Sequence, residues 1–116
     1  MRKLLATAAL LTCIVPASAS AADFTFVIQN NHYYAVEVQI YTPIRRAAWP
    51  AWNRVWINSS SVPERYAISC VPGEKVCFGA QAGRIYWGVG LRGRYGCVAC
   101  CYTCVDGGES PTINLN

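Results

Sequence analysis

Charge is scarce in this chain. Only 14% of its 116 residues are Asp, Glu, Lys or Arg, while 53% are apolar, which excludes a solvated, disordered polymer. There is one histidine, His32. A cysteine nucleophile would have only that residue as its base, and it stands in a polar stretch. The carboxylates are Asp23, Glu37, Glu64, Glu74, Asp106 and Glu109, and no two of them stand in a recognisable acid/base arrangement. No apolar run approaches the length of a membrane span. Internal repeats and low-complexity tracts are absent. Ten Lys and Arg against six Asp and Glu leave a net charge of +4, too weak a balance to point to nucleic acid. No enzymatic constellation emerges, and a non-enzymatic role with no cofactor is expected.

The first residues have a different character. Arg2 and Lys3 precede an apolar run from Leu4 to Val15, and Ala17-Ser18-Ala19-Ser20-Ala21 follows. A basic start, a short apolar segment and small residues of the Ala-x-Ala type form a secretory signal peptide. Cleavage is expected after Ala21, with Ala19 as the alternative. The organisation is then a leader over residues 1–21 and a single exported domain over residues 22–116, secreted or periplasmic. Cys13 departs with the leader, so six of the seven cysteines remain. An even number in a short exported chain reads as a disulfide framework.

The rest of the chain alternates with a period of two. Phe24, Phe26 and Ile28 share one face, as do Val36, Val38 and Ile40, opposite Glu37, Gln39 and Tyr41. Successive strand side chains point to opposite faces, so this period fits half-buried sheets. The Asn30-Asn31-His32 stretch between the two favours a turn and predicts a hairpin. Pro43 to Asn58 reads as an irregular crossing followed by a strand at Arg54–Ile57; were the strand to reach back to Trp52, then Trp52, Arg54 and Trp56 would share one face. Pro72-Gly73 suits the central positions of a type II turn between Tyr66–Cys70 and Lys75–Phe78. Arg84–Leu91 reads as a central strand bearing Trp87, and Thr112–Leu115 as a short final one. The fold class is therefore all-β, a single-domain sandwich or barrel of six to seven short strands, stapled by disulfides. A domain this small buries roughly 60–65% of its unfolded surface, so the staples matter to its stability.

The opening Phe24-x-Phe26-x-Ile28-x-Asn30 resembles the first strand of several exported β-sandwich families, thaumatin-like proteins among them. The resemblance covers seven residues. It implies a sheet and carries no function.

The cysteines Cys97, Cys100, Cys101 and Cys104 form a C-x2-C-C-x2-C run, and Cys70 and Cys77 flank the Pro72-Gly73 turn. All six are expected in disulfides. A four-residue loop would bring Cys70 opposite Cys77 for a direct bond; a tighter turn would send each into the cluster instead. A Cys100–Cys101 bond is disfavoured because adjacent cysteines need a distorted peptide. The alternative is a metal-binding or thiol-redox centre at Cys97, Cys100, Cys101 and Cys104, since C-x2-C thiolates are good zinc ligands. An oxidising compartment opposes free thiols, and nothing near Cys97 looks helical.

Gly88-Val89-Gly90-Leu91-Arg92-Gly93 matches G-x-G-x-x-G. No helix start or βαβ unit follows, so its glycines are expected to serve bulges and tight turns. Asn58-Ser59-Ser60 fits the N-glycosylation sequon, which matters only in a host that glycosylates exported chains. The binding residues expected from the surplus of loop aromatics and arginines are Tyr33, Tyr34, Arg45, Arg46, Trp49 and Trp52. Rings beside guanidinium groups can stack on sugars or hold an anionic surface. The expected function is binding of a glycan, an envelope component or another protein.

Overall fold

A computed structural model describes residues 21–116. The leader reading and its Ala19 cleavage site fall on residues 1–20, outside the described residues. Nine strands follow in order: β1 (Ala22–Asn30), β2 (Val36–Thr42), β3 (Ala47–Trp49), β4 (Trp56–Asn58), β5 (Glu64–Cys70), β6 (Lys75–Ala82), β7 (Ile85–Gly88), β8 (Cys101–Thr103) and β9 (Gly108–Leu115). The only helical elements among the described residues are two 3-10 turns, Leu91–Gly93 and Val98–Cys100.

The strands form two sheets. The first has three strands in the order β5-β1-β9. β5 runs antiparallel to β1 from Ala22↔Cys70 to Ile28↔Glu64, and β9 runs parallel to it. Pro111 lies inside β9, where it has no N–H to give the ladder. The register shifts there, between Thr25 and Val27, and the Val27 N–H donates to Ser110 Oγ at 2.9 Å instead. An edge strand tolerates such a proline. The second sheet has six strands. β2 is flanked on one edge by β3 and β4 and on the other by β6, which then pairs with β7 and β8.

The core lies between the sheets. Phe26 and Ile28 of β1 and Leu115 of β9 meet Val36, Val38 and Ile40 of β2 and Val76 and Ala80 of β6, all fully buried. The period of two therefore identifies the buried faces of β1 and β2. This is the expected disulfide-stapled all-β domain, here a two-sheet sandwich. It has nine strands rather than six or seven because Pro43 to Asn58 and the cysteine run each contribute three-residue strands too short to register as patterns.

Neighbour relations depart from expectation. β1 and β2 are not a hairpin: both edges of β1 are taken by β5 and β9, and the chain crosses to the other sheet at residues 31–35. Buried Asn30 shapes that crossing. Its Nδ2 donates to the Tyr34 and Asn58 carbonyls, at 2.9 Å each, and its Oδ1 accepts from His32 N at 2.8 Å. The second expected hairpin is also a crossing. Val71-Pro72-Gly73-Glu74 is the expected type of turn, with Glu74 N donating to Val71 O at 3.0 Å and Gly73 at φ +88°. It nevertheless joins β5 in one sheet to β6 in the other, so Cys70 and Cys77 are never cross-strand neighbours.

The tryptophan segment also differs. β3 and β4 pair with β2 in tandem, Ile40↔Trp49 and Val38↔Trp56, and the strand begins at Trp56 rather than Arg54. Trp52 and Trp56 do not share a face. Trp52 lies in the loop between β3 and β4 with its ring 6.1 Å from that of Tyr41, whereas Trp56 packs on Tyr66 of the opposite sheet at 4.8 Å. The strand bearing Trp87 is a short edge strand that stops at Gly88. Beyond it, Gly88, Gly90 and Gly93 adopt φ of +61°, +67° and +65°, so the glycine motif serves tight turns, as expected.

Candidate functional site

The six expected binding residues fall into two groups at opposite ends of β2. Tyr33 and Tyr34 precede it, and Arg45 and Arg46 follow it. At about 3.4 Å per residue, β2 separates the two groups by roughly 20 Å.

At the first end, Tyr33 is 90% exposed and Tyr34 67%. Rings run in sequence from Trp87 to His32 (5.2 Å between centroids), to Tyr34 (5.8 Å) and to Tyr33 (5.3 Å). Trp87 is half-buried and donates from Nε1 to the Asn116 carbonyl at 3.1 Å. Asn31 lies beside this row and donates from Nδ2 to the Asn114 and Asn116 side chains, at 3.1 and 3.0 Å. His32 is thus half-buried between two rings rather than freely solvated, and its Nδ1 accepts from Tyr34 N at 3.3 Å. This end carries exposed ring faces beside carboxamides that can both donate and accept.

The second end is organised around a carboxylate the sequence did not single out. Glu74 is buried and accepts from Arg45 Nε at Oε1 and from Arg45 Nη2 at Oε2, both at 2.8 Å. Thr42 Oγ1 adds a bond to Oε1 at 3.0 Å, and Val71 N one to Oε2 at 2.8 Å. The Arg45 hydrogen bonds, with help from Val71 and Thr42, hold the Glu74 carboxyl below the usual carboxylate range against the opposing effect of burial. Arg45 also lies over Trp49 at 5.6 Å. Its guanidinium is therefore committed within the protein, joining the chain after β2 to the β5–β6 crossing. Arg46 is exposed, with φ +52°. Trp49 is half-buried at the end of β3, and Trp52 is 43% exposed.

Between the ends, loops cover the outer face of the six-stranded sheet. Gln39 points away from the core, as the alternation requires, yet it is fully buried. Its Nε2 donates to the carbonyls of Ala51, Trp52 and Arg54, at 3.0, 3.2 and 2.9 Å, and its Oε1 accepts from Arg92 N at 2.6 Å. Nothing in the local pattern around Gln39 signals this, because its partners come from two distant loops.

A cleft of about 270 Å³ opens beside these loops, lined by Tyr41, Pro43, Lys75, Tyr95, Cys97 and Cys101 among others. All six cysteines of the domain lie at disulfide distance as Cys70–Cys104, Cys77–Cys101 and Cys97–Cys100. Cys70 and Cys77 each reach into the cluster, the second of the two expected outcomes. The reason is their placement in different sheets rather than the tightness of the turn. Cys100 and Cys101 bond to different partners. Among the described residues no group of three or more His, Cys, Asp or Glu is arranged for a metal ion, and a metal at Cys97, Cys100, Cys101 and Cys104 would require these bridges to open. The run is not wholly extended, since Val98–Cys100 forms a 3-10 turn.

The sequon asparagine is inaccessible in the fold. Asn58 is 1% exposed, its Oδ1 accepts from Ser60 N at 3.1 Å, and its Nδ2, where a glycan would attach, is buried without a hydrogen-bond partner.

These features define a small, disulfide-stapled all-β domain with an aromatic end and a cystine-walled cleft. Comparison with protein families, characterised proteins and solved structures finds no match.

Proposed function

We propose that this protein is a small exported, non-enzymatic binding domain that recognises a glycan through the end of the sandwich carrying Tyr33 and Tyr34. The observation that carries the reading is the exposure of these consecutive tyrosines, 90% and 67%, on a continuous row of rings. Leaving two large rings in water forgoes roughly 25 cal/mol for every Å² that burial would remove. A sugar recovers that term on its apolar face while its hydroxyls bond to neighbouring carboxamides, and Asn31, Asn114 and Asn116 supply these. Tyr and His add polar tips on apolar bodies. Export rests on the basic, apolar and small-residue start of the chain. Three disulfides, and the absence among the described residues of a helix long and apolar enough to cross a membrane, are compatible with an extracellular or periplasmic location.

The test is a glycan array followed by calorimetry on any oligosaccharide retained. Tyr33→Ala and Tyr34→Ala should each weaken binding about tenfold or more, in line with hot-spot losses above 1 kcal/mol, with the folded spectrum unchanged. Arg46→Ala, at the other end of β2, should leave affinity within twofold. Retention of full affinity by the Tyr33→Ala/Tyr34→Ala double variant would sink the assignment.

A further inference from the structure

The three disulfides do different work. Cys70–Cys104 closes a sequence separation of 34 and ties β5 of one sheet to the chain leaving β8 of the other. Cys77–Cys101 closes 24 residues and joins directly opposite positions of β6 and β8. Cys97–Cys100 closes only 3 and connects no two strands. Stabilisation through chain entropy grows with the loop closed, so this third bridge holds the fold least.

It also lies in a loop open to solvent. Both residues inside its loop are exposed, Val98 completely; Cys97 is half-buried, as is Cys101, whereas Cys70, Cys77, Cys100 and Cys104 are 2%, 2%, 7% and 0% exposed. Cys97 forms part of the cleft wall together with Cys77 and Cys101, and the exposed Lys75 lines the same cleft. A nearby ammonium favours thiolates over thiols.

We propose that Cys97–Cys100 is a thiol–disulfide exchange site that accepts electrons from an external dithiol, while the other two bridges maintain the fold. One thiolate of the dithiol attacks Cys97 Sγ, the more accessible sulfur, and the Cys97–Cys100 bond breaks. Cys100 leaves as a thiolate and takes up a proton. The second thiolate of the dithiol then attacks its partner sulfur in the mixed disulfide, closing the external disulfide and releasing Cys97, which takes up a second proton. Two electrons and two protons reach the protein, and the dithiol is oxidised. The cleft beside Cys97 is where the incoming dithiol docks.

The experiment treats the folded protein with graded dithiothreitol, quenches with acid, alkylates, and maps the label on peptides. Cys97 and Cys100 should be labelled about tenfold faster than the other four cysteines, the ordering expected of a bridge within a short exposed loop against bridges tied to strands, with the near-ultraviolet circular dichroism unchanged. In the Cys100→Ser variant, oxidised glutathione should add one glutathionyl group, at Cys97. The Cys97→Ser/Cys100→Ser variant should keep the native spectrum and lose the fast phase. Simultaneous labelling of all six cysteines, earlier labelling of Cys70 and Cys104, failure of Cys97 to form the mixed disulfide, or unfolding of the double variant would each overturn the proposal.

Discussion

The side-chain oxygen of Gln39 accepts a hydrogen bond from the backbone N–H of Arg92 at 2.6 Å, across 53 residues of chain. The same side chain holds three carbonyls of the loop between β3 and β4. One carboxamide thus ties two loops to the outer face of the sheet. Gln39→Leu keeps the volume and removes every bond, leaving a buried N–H and three carbonyls to find water. Since an unsatisfied buried group costs about 1–3 kcal/mol, the variant should lose about 2–3 kcal/mol in urea unfolding, and amides at residues 51–54 and 92 should exchange faster. A loss within about 0.5 kcal/mol, the usual range for surface changes, would show that the loops stand without it.

Glu74 should make stability depend on pH. Its carboxyl is held below the ordinary range in the folded protein, chiefly by Arg45. Between that depressed value and the ordinary one, the unfolded chain binds more protons, so stability rises with pH across this window. The contribution is complete above the ordinary carboxylate pKa and is lost as pH falls through the folded one. Glu74→Gln should therefore be less stable than the parent at pH 7, with the two unfolding midpoints converging in acid. Parallel curves over the acid range would rule out this linkage.

Two glycines should respond to the same substitution very differently. At Gly79 a Cβ would collide with the carbonyl of Gly90, where the turn after β7 crosses β6. Gly79→Ala should cost about 3 kcal/mol or more, at or beyond the upper end of the usual overpacking range, or prevent folding. At Gly73, φ is +88° and nothing lies within 4 Å. Gly73→Ala meets only backbone strain, about 1 kcal/mol. Thermal melts of the two variants should separate clearly.

The disulfides should rank by loop length. From chain entropy, removing Cys70–Cys104 by double serine substitution should cost about 4 kcal/mol, and removing Cys97–Cys100 about 2 kcal/mol. Guanidinium unfolding of the two double variants would reverse this order only if the cystine beside the cleft braces more of the fold than its connections indicate.

Particular residues show how far the sequence reaches. The alternation of Phe24, Phe26 and Ile28, and of Val36, Val38 and Ile40, correctly marks which faces are buried, because the period of two is a property of a single strand. Proline followed by glycine at 72 and 73 correctly marks a type II turn, because its requirements are local φ values. The same residues mislead about partners. Whether a turn closes a hairpin or crosses between sheets depends on which strands already occupy the edges of β1, and those arrive 34 and more residues later. Gln39 and Arg45 illustrate the same limit at the candidate site. Each looks solvent-facing in its own segment, and each is committed to groups from elsewhere in the chain. Tyr33 and Tyr34 lie in a loop, where a turn-favouring sequence places them, and both are exposed there.

The sequence by itself determined a chain of alternating apolar faces with an even set of domain cysteines, hence an all-β domain stapled by disulfides. These are consequences of strand geometry, composition and cysteine count. Only the tertiary structure decided which cysteines pair, that β9 lies parallel to β1, that Asn58 and Glu74 are buried, and that the aromatic end and the arginine end stand apart. Each of these depends on contacts between residues distant along the chain, and such contacts exist only once the two sheets close on their common core.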